Sequence, residues 1–99
     1  MPLSKDDIKK YRSKAQSLKP IVMIAGNGLS EGVMNELDRA LTDHELIKVK
    51  LVIEDRELRK ALSEELCLKN RCELVQSIGK TIIIYREAKK PKVGLSNAR

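Results

Sequence analysis

Apolar side chains recur along this chain at two different periods, and the switches between them predict its elements. Ile8, Tyr11, Ala15 and Leu18 stand three or four apart, which is one stripe of a helix. Ser4 with Asp7 three residues later is a variant capping box for its start, and Pro20 stops it after about four turns. Pro20-Ile21-Val22-Met23-Ile24 is apolar without a break, the pattern of a strand covered on both faces. Ser30 predicts a second N-cap, and Val33, Leu37, Ala40 and Leu41 keep helical spacing to Asp43, with His44 at the helix end near its negative dipole. From Leu46 to Ile53 the period becomes two. Ile47, Val49, Leu51 and Ile53 face one way, Lys48 and Lys50 the other. Asp55 predicts a third N-cap, with Leu58, Ala61, Leu62 and Leu66 toward the core and Asn70 in the left-handed position after the helix. Glu73–Ile78 and Thr81–Arg86 flank Gly79-Lys80 and predict a tight hairpin.

The element order is therefore αβαβαββ. It predicts an α/β (α+β, two-layer) domain with a mixed four-stranded sheet. Strands joined by helices should run parallel through right-handed crossovers, and the last strand antiparallel to its predecessor. A chain of 99 residues supports one such domain, placed at 1–88. From Lys89 onward no period survives, so 89–99 is expected to be a flexible basic tail.

Charge sharpens this picture. The net +6 divides into +4 over residues 1–19, −3 over 20–79 and +5 over 80–99. A polyanion would be met by the cationic ends. Lys5, Lys9, Arg12 and Lys19 fall along one flank of the first helix, and Arg86 with Lys89 forms a further cluster after the last strand. No segment approaches the ~20 apolar residues of a membrane span. Residues 1–7, MPLSKDD, lack the apolar core of a secretion signal, so a cytoplasmic location is expected. Cys67 and Cys72 are two thiols suited to a reducing compartment, since zinc would want four ligands and only His44 is left to join them.

Candidate chemistry concentrates in Ala25-Gly26-Asn27-Gly28-Leu29-Ser30, between the first strand and the second helix. Unpaired N–H groups at a helix start, together with about half a positive charge, hold phosphate. Gly26 and Gly28 let a sugar–phosphate backbone approach the main chain, and Asn27 tolerates unusual φ. No Walker-type lysine follows the loop, where Leu29 and Ser30 stand instead, and Ser30 has no evident base. With Tyr11 and Tyr85 as the only aromatics, an aromatic stacking platform is excluded as the main mode of nucleic-acid binding.

Four separated blocks carry a family resemblance: residues 26–33 (GNGLSEGV), 44–50 (HELIKVK), 54–57 (EDRE) and 78–86 (IGKTIIIYR). From about Leu3 to Arg86 the chain resembles the bacterial YhbY proteins, stand-alone CRM (chloroplast RNA splicing and ribosome maturation) domains. The resemblance implies RNA binding to ribosomal RNA in precursors of the large (50S) subunit. It also implies a fold similar to the C-terminal domain of bacterial translation initiation factor 3, preceded by an extra helix. One departure stands in the loop: the family's first glycine falls on Ala25 here, while the last, Gly28, is kept.

The expected function is thus RNA binding during ribosome assembly. Candidate contacts are Gly26, Asn27, Gly28, Leu29, Ser30, Lys5, Lys9, Arg12, Lys19, Arg86 and Lys89, with Lys48 and Lys50 as weaker ones. No catalytic residue, metal, cofactor, membrane or small-molecule substrate is expected, and the protein should be a monomer. Two alternatives accompany this reading. One is a small enzyme that holds a mononucleotide phosphate in the loop. The other is a module docking on ribosomal or assembly proteins through the acidic middle: Glu31, Glu36, Asp38, Asp43 and Glu45.

Overall fold

A computed structural model describes residues 3–26 and 28–87. Asn27, Lys89 and the expected tail at 89–99 lie outside the described residues. The elements run α1 (Lys5–Ala15), β1 (Pro20–Ile24), α2 (Glu31–His44), β2 (Leu46–Leu51), α3 (Arg56–Asn70), β3 (Glu73–Ile78) and β4 (Thr81–Tyr85). All three helix starts follow the expected chemistry. Ser4 accepts from the Asp7 amide, Ser30 from that of Val33, and Asp55 from those of Glu57 and Leu58.

The sheet is mixed, in the order β1-β2-β4-β3. β1 pairs with β2 in parallel, while β4 lies between β2 and β3, antiparallel to both. Gly79, at φ +59°, turns the β3–β4 hairpin. One face of the sheet carries the larger core. Val22, Ile24, Ile47, Val49, Leu51, Ile82 and Ile84 pack there under Leu37 and Leu41 of α2 and Leu66 of α3. The two-layer body expected from the sequence is this sheet with α2 and α3. The other face holds a smaller cluster in which Ala15, Ile8 and Tyr11 of α1 meet Val75, Ile83, Leu46 and Tyr85. Tyr11 and Tyr85 stack with ring centroids 4.3 Å apart. Helix α1 thus adds a partial third layer.

Several local expectations are corrected. α1 ends at Ala15, so Leu18 and Lys19 lie beyond it; the Gln16 amide bonds Ser13 and the Leu18 amide bonds Ala15, which tightens the chain into a turn well before Pro20. β1 is an edge strand and is not covered on both faces. Val22 and Ile24 are buried, but Ile21 and Met23 are 49% and 62% exposed because α1 does not reach them. In α3, Leu58 and Ala61 face solvent, and the inward line is Ser63, Leu66 and Asn70. The first turn of that helix is tied instead through Arg59, whose Nη1 donates to the carbonyls of Ile53 (2.7 Å) and Glu54 (3.0 Å). Asn70 remains helical, with its amide buried on the Leu66 carbonyl at 3.0 Å, and Arg71 takes the left-handed position at φ 56°. β2 ends at Leu51 and β4 at Tyr85, leaving buried Ile53 and Arg86 just outside their strands.

Candidate functional site

On the α1 side, the sheet is only half covered. Side chains of β2 alternate, so that Ile47, Val49 and Leu51 enter the main core and Lys48 and Lys50 project toward the α1 side. The register aligns two rows there. Lys48 stands opposite Ile83, which stands opposite Gln76. One step further along, Met23, Lys50, Thr81 and Ile78 line up across all four strands.

Helix α1 crosses beside the first of these rows. Lys9, Arg12, Ser13 and Gln16 stand at i, i+3, i+4 and i+7 and share one helix face. They form one wall of a groove of about 320 Å³, and Lys48, Gln76, Ile78 and Ile83 form the other. No acidic side chain lines this groove. Among the described residues, Lys9, Arg12, Lys48 and Lys50 take part in no ion pair; the pairs present join Lys69 to Glu65, Lys80 to Glu54 and Arg86 to Asp38. Four cations with free charge therefore surround the uncovered part of this sheet face.

The glycine loop leaves β1 two residues past Met23, at the same end of the sheet. The Gly28 amide closes a turn onto the Ala25 carbonyl at 2.9 Å. Gly28 has φ +77°, and Ala25 is not among the residues with positive φ. Alanine at the family's first glycine position therefore ends the strand without strain. A Cβ at Gly26 would meet nothing within 4 Å, so this side of the loop is open. The Leu29 side chain packs against the main core, and the Ser30 hydroxyl caps α2. What the loop offers a ligand is its backbone, including the first-turn amides of Glu31 and Gly32, which the helix itself cannot satisfy.

Of the residues picked out in the sequence, Lys9 and Arg12 meet in the groove. Lys5 extends their line by one helical turn and Lys19 stands exposed beyond the helix, but neither lines it. Helix α1 and the start of α2 lie against opposite faces of the sheet, and the groove is lined by α1, β2, β3 and β4 without a residue of β1, so the loop and the groove do not share one concavity. Lys48, a weaker candidate in the sequence, also lines the groove, and strand alternation is the signal that marks it. Arg86, expected as a contact residue, is tied into the fold. Its guanidinium donates to the Asp38 carboxylate and carbonyl, the Asn70 carbonyl and the Thr42 hydroxyl, all at 2.9–3.0 Å. The cysteines form a local pair after α3. The Cys72 thiol bonds to the Cys67 sulfur, which lowers the pKa of Cys67, while that hydrogen bond and burial raise that of Cys72. Among the described residues, no group of three or more His, Cys, Asp or Glu could hold a metal ion.

A small mixed-sheet domain, with a glycine loop opening a helix and a cationic groove on the opposite face, is thereby defined. The chain belongs to the CRS1 / YhbY (CRM) domain family, whose model matches residues 3–86. It is 52% identical over 97 residues to a chain named probable RNA-binding protein in Pseudomonas aeruginosa, covering 98% of this chain and 93% of that one. An RNA-binding protein of Haemophilus influenzae is 41% identical over 81 residues, 82% of each chain. The solution structure of a Staphylococcus aureus protein superposes with a TM-score of 0.79 at 38% identity, covering 91% of this chain and 94% of that chain.

Proposed function

We propose that this protein binds RNA through the cationic groove, with the glycine loop as a second contact, and that it acts without catalysis on ribosomal RNA in precursors of the large subunit. The observation that carries this reading is the convergence of Lys9, Arg12 and Lys48 on one groove with no acid in its walls. Long, hydrated ammonium and guanidinium groups there neutralise phosphates and fix the register of a strand. Membership in the family and the names borne by its relatives support RNA as the polyanion. The large-subunit target follows the family resemblance. In this reading 1–88 is the binding domain, and 89–99 adds three lysines and an arginine.

Filter binding across a salt series tests it. Three groove cations on a single strand give log K against log salt a slope of about −2, and each of Lys9→Gln, Arg12→Gln and Lys48→Gln flattens it by about 0.7. A slope that none of the three changes rejects the groove. Crosslinking in cells, followed by sequencing of the attached RNA, tests the large-subunit target.

A further inference from the structure

The row beyond the groove carries two large apolar side chains that the fold does not use, Met23 and Ile78, and a third, Ile21, lies beside it on β1. Met23 is 62% exposed, Ile78 57% and Ile21 49%. They are not scattered. Met23 and Ile78 occupy the two ends of one register row whose middle is Lys50 and Thr81, and Ile78 also forms part of the groove wall beside Arg12 and Gln76. Exposed apolar side chains interleaved with cations are a poor match for an RNA duplex. A duplex turns sugars and phosphates outward and keeps its base faces stacked inside. It could use the lysines but would cover the methionine and isoleucine with charge. An unpaired strand presents both surfaces at once. Its phosphates follow Lys9, Arg12, Lys48 and Lys50, while its base faces remove Met23 and Ile78 from water. Two amides, Gln16 and Gln76, stand in the groove walls, and each can donate to and accept from a base edge.

We infer that the uncovered row Met23–Lys50–Thr81–Ile78 is a seat for the bases of unpaired RNA, contiguous with the groove that holds its phosphates. The inference rests on the RNA-binding reading above and goes beyond it, because it assigns single-stranded over double-stranded RNA. It also gives aliphatic side chains the part that aromatic ones play elsewhere.

The test compares the full chain with the double variant Met23→Ser/Ile78→Ser. Both positions are exposed, so the variant keeps the core. Each protein is titrated with an unstructured 12-nucleotide RNA and with the same RNA annealed to its complement. The wild type should bind the single strand about tenfold or more tightly than the duplex, and the double variant should lose about tenfold on the single strand alone. Sedimentation of both proteins without RNA accompanies this. Equal affinity for the two RNAs, or a double variant that binds the single strand as the wild type does, overturns the seat while leaving the cationic groove intact. Self-association abolished by the double variant, with RNA affinity unchanged, assigns the row to a second copy of this chain and also overturns it. No binding to either RNA overturns both this inference and the function it rests on.

Discussion

The guanidinium of Arg86 holds Asp38 at two points: Nη1 donates to the carboxylate Oδ1 and Nη2 to the main-chain carbonyl, each at 3.0 Å. With the Asn70 carbonyl and the Thr42 hydroxyl it thereby joins the end of β4 to the C-terminal halves of α2 and α3. Replacing Arg86 leaves these acceptors short of donors in a partly buried place. Arg86→Met should lower stability by about 1–3 kcal/mol, read as a lower urea midpoint at constant slope. Arg86→Lys should recover little of it, because an ammonium cannot serve the same forked set of acceptors. RNA affinity per folded molecule should stay unchanged.

The two loop glycines should respond differently to substitution. Gly28 has φ +77°, so Gly28→Ala should cost about 1–2 kcal/mol in stability. Gly26 has no positive φ and open space around it, so Gly26→Ala should change stability by less than about 0.5 kcal/mol. Gly26→Asp is then the clean probe of the loop, since it brings a negative charge with little strain. It should weaken RNA binding while the thermal midpoint holds. Unchanged RNA affinity in that variant would remove the loop from the interface.

Tyr85 ties α1 to the sheet in a way that depends on pH. Its hydroxyl bonds to Tyr11 and is partly buried, and both effects raise its pKa above the usual tyrosine value. The folded state therefore keeps this proton more tightly than the unfolded state, whose tyrosines ionise near about 10. The stability this contributes is complete below pH ~10 and is lost as pH rises through the folded value. Denaturation midpoints should fall above pH ~10, and Tyr85→Phe should make that fall shallower, checked by tyrosinate absorbance alongside unfolding curves.

The sequence reading recovered the order and kind of every element because each is written in local period and capping chemistry. Ser4, Ser30 and Asp55 cap their helices as anticipated, and the alternation at Ile47, Val49 and Leu51 fixes which face of β2 is buried. What it lacked was long-range. A run such as Ile21–Ile24 looks the same in the centre of a sheet and at its edge. Whether Met23 is covered depends on where α1 comes to lie, which no local pattern states. Arg86 carried the ordinary mark of a surface cation at a strand end, and its chief partner lies 48 positions earlier in the chain. Lys9 and Arg12 were visible as a helix flank, but their meeting with Lys48 follows from packing alone.

The placement of β4 sets how the molecule must be made. β4, the last of the described strands along the chain, occupies an interior position of the sheet and gives Ile82 and Ile84 to one core and Ile83 to the other. A growing chain that has reached only β3 has neither interior completed, and β2 still offers a bare hydrogen-bonding edge. Assembly must therefore be close to all-or-none and must wait until the final strand has emerged from the translating machinery. A premature stop before residue 81 would release an unfinished, self-adhering fragment and no smaller working protein.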